Sequence, residues 1–130
     1  MSKPNVYGYT LKFKNDWLLV RALLKIYSLT INIEQDNNYL RPKLVDVLAY
    51  YILLGYSDET KEIILKSLKI KRTNINQINA ELTSKKFLVR DKYNYRKKYI
   101  SEDLKSLKQY FLESDNPNKL FLIKFKKVNE

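Results

Sequence analysis

The chain opens on a period of two and then changes to a helical one. In VYGYTLKFK (residues 6–14), Tyr7, Tyr9, Leu11 and Phe13 alternate with Val6, Gly8, Thr10 and Lys12, the pattern of a half-buried strand. Asn15 or Asp16 is placed to cap a helix through WLLVRALLKIYSL. Its apolar residues, including Trp17, Leu18, Leu24 and Tyr27, cover a broad face, so this helix is expected to be well buried. INIEQDNNYL is polar, rich in Asn and Asp, and reads as a loop or a short exposed strand.

From Arg41 the helical period is nearly continuous. RPKLVDVLAYYILLGYS puts Pro42 in a first turn, apolar residues at 44, 45, 47, 48, 51, 52 and 54, and Gly55 where the helix would end. Ser57 or Asp58 then caps a second helix, ETKEIILKSLKI. Asp58, Glu59 and Glu62 lie near its N-terminus, where carboxylates suit the positive end of the helix dipole better than a metal. A tight connection at KIKRT leads to a third helix, with Thr73 as its expected N-cap. FLVRD and RKKYI follow as two short strands joined by KYNY. Ser101 with Glu102 and Asp103 starts a further helix through KSLKQYFLES, and DNPN turns the chain into a last strand, LFLIKFKKV. The expected fold class is α+β in one compact domain. A strand–helix extension spans 1–40, a helical core with a hairpin spans 41–101, and a helix and strand span 102–130.

Composition then removes whole classes of chemistry. The 130 residues include no cysteine and no histidine, which excludes disulfides, Cys/His zinc sites, thiol nucleophiles and any Ser-His-Asp arrangement. Acids are scattered at helix starts and loops, and no phosphate-binding glycine motif occurs, so neither an enzyme nor a cofactor or metal is expected. An acidic site assembled from distant residues, for instance Asp36 with Asp46, is the route left to catalysis. No apolar run approaches the roughly 18 to 20 residues that span a bilayer. MSKPNVYGYT lacks the apolar region of a secretion signal, so a cytoplasmic location is expected. Heavy use of Lys, Asn, Ile and Tyr predicts an A/T-rich genome, bacterial or phage.

Charge changes the picture most. The net charge is +11, and Lys66 to Lys98 hold eleven basic residues against Glu81 and Asp91, or +9. Codon bias would spread lysine evenly, so the clustering points to a polyanion partner, with a solvated lysine-rich surface as the plain alternative. Within this segment Ile75, Ile78 and Leu82 mark the buried stripe of the third helix. Asn76, Gln77, Ala80 and Ser84 lie opposite, with Thr73 and Asn74 at its entrance. Asn and Gln match the adenine edge in the major groove, and Ala and Thr methyls suit thymine, so these six are the candidate base-reading residues. The same residues would also make an ordinary soluble face. Glu81, on the flank, is open to reading a cytosine or opposing a phosphate. Lys71, Arg72, Lys85, Lys86, Arg90, Lys92, Arg96, Lys97 and Lys98 are the candidate contacts to a phosphate backbone, the last five on two strands and their turn. Tyr93 and Tyr95 lie between them. One is expected to pack beneath the hairpin and the other to stay half exposed.

The order helix, helix, tight turn, helix, two-stranded hairpin is the winged helix-turn-helix plan. Residues 43–101 resemble the winged-helix domain of MarR-type regulators, in INQINAELTSKKFLVRD followed by RKKYIS. In that family the third helix runs into a glycine, an apolar pair, a basic strand, a turn and a second basic strand. Here Phe87 and Leu88 are the apolar pair, and Lys86 stands where the glycine is usual. The resemblance covers a little under half of the chain. The flanks depart from it, because the family dimerises through long terminal helices and this chain is expected to begin and end with strands. The resemblance implies a non-enzymatic duplex-DNA-binding protein, a small transcription regulator, with the third helix in the major groove and the hairpin on the backbone. The alternative is a structural subunit of a larger assembly such as a bacteriophage virion, reusing the fold for contacts to copies of itself or to other chains. The expected terminal strands and the eleven tyrosines and five phenylalanines suit that reading.

Overall fold

The computed structural model describes residues 10–34, 40–94, 96–115 and 119–123, with the side chains of 30–34 outside that description. It is α+β. Helices α1 (Asp16–Glu34), α2 (Pro42–Leu54), α3 (Asp58–Ser67) and α4 (Arg72–Ser84) precede strands β1 (Leu88–Arg90) and β2 (Lys98–Ile100). Helix α5 (Glu102–Lys108) follows and runs into a π-helical turn, Gln109–Glu113. The strands form one antiparallel hairpin in the register Leu88–Ile100, Val89–Tyr99 and Arg90–Lys98.

Helix α2 is the centre of the molecule because its apolar residues run around its circumference rather than along one stripe. Leu44, Val45, Val47, Leu48, Ala49, Tyr51 and Ile52 are all buried. Around it pack Val20 and Leu24 of α1, Ile64 of α3, Ile75, Ile78 and Leu82 of α4, Leu88 of β1 and Leu104 of α5. Both ends of α2 follow from local chemistry. Pro42 occupies the first turn, where its missing N–H leaves no bond unmade, and Gly55 ends the helix at φ +88°, its N–H donating to Tyr51 O at 2.8 Å. Ser57 caps α3 as expected, its Oγ accepting from Thr60 N at 3.1 Å. Asn15 does the same for α1, accepting from Leu18 N at 2.9 Å.

Three expectations need correction. Helix α1 continues to Glu34 rather than ending near Leu29, because no Gly or Pro interrupts the intervening residues and the Asn/Asp concentration begins only at Asp36. Helix α4 starts at Arg72 with Lys71 in the cap position, so Thr73 lies inside the helix and is not its cap. The terminal strands are absent from the described residues: 10–13 and 119–123 pair with no strand, while 6–9 and 124–128 lie outside the description. An alternating pattern makes a strand only where a sheet edge receives it. Phe121 instead packs its ring 6.0 Å from Phe111.

The end of α4 shows how the chain does without the usual glycine. Lys86 takes the left-handed conformation itself, at φ +67°, and the bonds Phe87 N to Leu82 O (3.0 Å) and Lys86 N to Thr83 O (3.0 Å) close the helix. Lys69, after α3, does likewise at φ +53°, with Ile70 N donating to Leu65 O at 3.2 Å. Because an L-residue pays about 1–2 kcal/mol in this region, Lys86→Gly is expected to raise unfolding stability by about 0.5–1 kcal/mol after glycine's own entropy loss. Urea denaturation measures it. A loss of stability would mean that the lysine side chain contributes more than its backbone strain costs.

Candidate nucleic-acid interface

The candidate surface is built on the outer face of α4. Ile75, Ile78, Asn79 and Leu82 are buried against the core, so the opposite side of the helix faces solvent. Thr73, Gln77, Ala80 and Ser84 fall within an arc of about 60° at the centre of that exposed side. Asn76 lies on one flank, toward Thr83, and Asn74 on the other, toward Glu81. All six candidate base-reading residues are exposed.

Two ion pairs border this face. On the Asn74 side Arg41 Nη2, at the start of α2, meets Glu81 Oε2 at 2.6 Å, so Glu81 is engaged by a residue of its own chain. On the Asn76 side Arg72 pairs with Glu62 of α3. Both are largely exposed pairs, whose stabilising effect is small. Lys71 lies exposed at the entrance to α4. Lys85 and Lys86 lie at its exit, Lys85 partly buried and Lys86 exposed.

The hairpin leans on the same helix. Leu88 and Ile100 turn their side chains to the core, and on the same face of the ladder Arg90 is paired with Lys98. Lys98 is only partly exposed. Its Nζ donates to Thr83 Oγ1 at 2.9 Å, and the Thr83 hydroxyl donates to Asn79 O at 2.7 Å. The Asn79 side chain accepts from Tyr51 Oη at 2.7 Å. This chain of bonds ties α2 to α4 and α4 to β2. Burial holds the Tyr51 hydroxyl above its ordinary pKa, a tendency that the bond to Asn79 opposes, so it stays a neutral donor. Lys98, one of the expected backbone contacts, makes one bond inside the fold, to Thr83, and keeps part of its surface exposed. Burial, then Arg90 and Lys61, depress its pKa.

The tip of the hairpin carries the remaining charge. Lys92, Arg96 and Lys97 are exposed there with Tyr93, which is 97% exposed and packs beneath nothing; Tyr95 lies outside the described residues. Asp91 organises the tip. Its carboxylate accepts from Tyr93 N at 2.7 Å, Asn94 N at 3.3 Å and Tyr99 Oη at 3.1 Å, and Asn94 Oδ1 accepts from Arg96 N at 3.1 Å. The basic turn therefore has a defined shape built on an acid. Sequence reasoning missed Asn79 and Thr83, which carry the chain of bonds from α2 to β2, and Lys61, which acts on Lys98. Asn79 was the accessible one, since it shares the buried stripe of Ile75, Ile78 and Leu82 at helical spacing.

No helix among the described residues is long and apolar enough to cross a membrane, and these residues contain no group of acids able to hold a metal. Comparison with protein-family models, curated proteins and solved structures finds no match to this chain.

Two outcomes follow from this geometry. Tyr51→Phe leaves Asn79 Oδ1 buried without its donor and is expected to cost about 1–3 kcal/mol in urea denaturation, with Tyr51→Phe/Asn79→Leu recovering part of the loss. No loss in the single variant would show that the bond does not hold α4. The bonds from Tyr93 and Tyr99 lower the Asp91 pKa. The hairpin contribution is therefore complete above the ordinary carboxylate value and is lost as pH falls through the depressed one. The Tyr93 amide resonance should titrate with a midpoint below 3.8, and Asp91→Asn should abolish that transition.

Proposed function

We propose that this chain is a non-enzymatic duplex-DNA-binding protein of winged-helix type, resembling MarR regulators in its core and acting as a small transcription regulator in the cytoplasm. Helix α4 enters the major groove and the hairpin holds the backbone. The observation that carries this reading is the exposed arc of Thr73, Gln77, Ala80 and Ser84, polar or small, on a helix whose other side is locked into the core. Ala80 in the middle of that arc lets the helix approach the groove floor, and Gln77 beside it has the donor–acceptor pair that adenine requires. Lys71, Lys86, Lys92, Arg96 and Lys97 surround the arc and the hairpin tip with exposed positive charge suited to phosphate. Among the described residues, five helices and a two-stranded sheet in this order are compatible with the winged-helix plan.

A second reading, a structural subunit of an assembly such as a virion, draws on one observation. Leu120 and Leu122, in the C-terminal segment, are 73% and 85% exposed, which suits burial against another chain.

The test is a salt titration of binding to A/T-rich and G/C-rich duplexes. Arg96→Ala/Lys97→Ala, which leaves Lys98 and the hairpin base intact, is expected to flatten the log–log salt slope by up to about 1.8, at 0.9 for each phosphate contact. Gln77→Ala/Ser84→Ala is expected to erase the preference between duplexes at a cost of about 1–3 kcal/mol for the favoured one. Weak, sequence-indifferent binding that neither variant changes would exclude the regulator and leave the assembly reading.

A further inference from the structure

Two lysines from separate elements share one tyrosine ring at the base of the hairpin, with Arg90 across the ladder from one of them. Tyr56 follows the glycine that ends α2, and its ring lies 4.9 Å from that of Tyr51. Lys61 Nζ of α3 stands 4.6 Å from the centre of the Tyr56 ring, and Lys98 Nζ of β2 stands 5.8 Å from it. Arg90 is the register partner of Lys98 across the hairpin. These groups come from three separate elements, so their convergence is a product of the fold and not of a run of basic sequence.

Like charges held together are costly unless something offsets them. The electron-rich ring of Tyr56 does so in part for both ammonium groups, and the Thr83 hydroxyl accepts one hydrogen bond from Lys98. Lys61 Nζ also lies 3.7 Å from Asp58, whose side chain is fully exposed. Lys98 already responds to its neighbours, since Arg90 and Lys61 add to burial in lowering its pKa. Its Nζ keeps two donors beyond the bond to Thr83, and the Arg90 guanidinium adds a planar fork.

We propose that Lys61, Arg90 and Lys98 form an oxyanion site, placed on the Tyr56 ring, that takes the tetrahedral phosphate group. The site rests on how the hairpin seats against α3 and α4, and a duplex is one of two sources for its ligand. In the DNA-binding reading the occupant is a backbone phosphate. A free phosphate has the same chemistry. Lys61 is then a contact residue that neither the basic segment nor the hairpin would have suggested.

The experiment uses the full chain and two arms. In the first, inorganic phosphate is titrated at constant ionic strength, with chloride as the matched control, while the lysine Cε–Hε resonances are followed by NMR. Saturable, phosphate-specific shifts are expected at Lys61 and Lys98 but not at Lys12 or Lys14, with affinity reduced about tenfold in Lys61→Met and in Arg90→Gln. In the second arm, Lys61→Met is expected to lower the salt slope of duplex binding by about 0.9. Either arm succeeding alone supports the site and names its source, free phosphate in the first and backbone phosphate in the second. Shifts that match those in chloride, together with an unchanged salt slope, overturn it. A chain that binds no duplex yet shows the phosphate response removes the DNA reading and keeps the site. Melting curves serve as the check that both variants fold, and Arg90, being exposed, is replaceable without disturbing the core.

Discussion

The buried hydrogen bond from Tyr51 to Asn79 is the constraint on which the arrangement of the surface depends. Helix α2 is apolar nearly all round, and apolar contacts alone would let α4 rotate against it at modest cost. A tyrosine hydroxyl and an asparagine side chain cannot rotate apart so cheaply, because each would be left buried without a partner. Asn79 thus sets the angle of α4 about its own axis. That angle decides that Thr73, Gln77, Ala80 and Ser84 point outward. The Thr83 and Lys98 bonds extend the same constraint to the hairpin, so the outer helix face and the two strands are positioned by one connected set of polar groups.

Electrostatics divides the basic segment into two populations. Arg72 is committed to Glu62, and Lys98 is folded against Tyr56 and Thr83. The cations at the hairpin tip, Lys92, Arg96 and Lys97, are exposed, Lys97 Nζ lying 5.8 Å from the centre of the Tyr99 ring, on a turn given its shape by Asp91. A total of +11 therefore overstates what any one partner would meet, and it is the placement of each charge that distinguishes a recognition surface from a merely soluble one.

Features that depend on neighbouring residues were legible before the fold was known. Pro42 and Gly55 bound α2, Ser57 caps α3, Ile75, Ile78 and Leu82 give the inner side of α4, and Phe87 with Leu88 lead into the first strand. The six polar or small residues of α4 were exposed as their spacing required. What escaped was decided by tertiary contact. Thr73 has good capping chemistry, but the chain turns into the helix two residues earlier. Asn79 sits on the buried stripe at helical spacing, so its burial was readable, but its bond to Tyr51 of α2 was not. Tyr56 and Lys61 are near neighbours in sequence, but Lys98 reaches the same ring from more than thirty residues away, which only the fold decides. The terminal alternations had no sheet edge to join among the described residues.

The central place of α2 also bears on how quickly the chain can find its fold. Its partners on α1, α3 and α4 lie close along the chain, and Tyr51 reaches Asn79 across 28 residues, so the core closes through short loops whose entropy loss is small. Such local, helix-rich topologies belong to the fast end of folding rates, and the two-stranded hairpin adds only another nearby pairing. The bond from Tyr27 to Asp103 is different, for it spans 76 residues and joins the first helix to the last. A loop of that length costs more entropy to close, so this contact is expected to form after the helical centre.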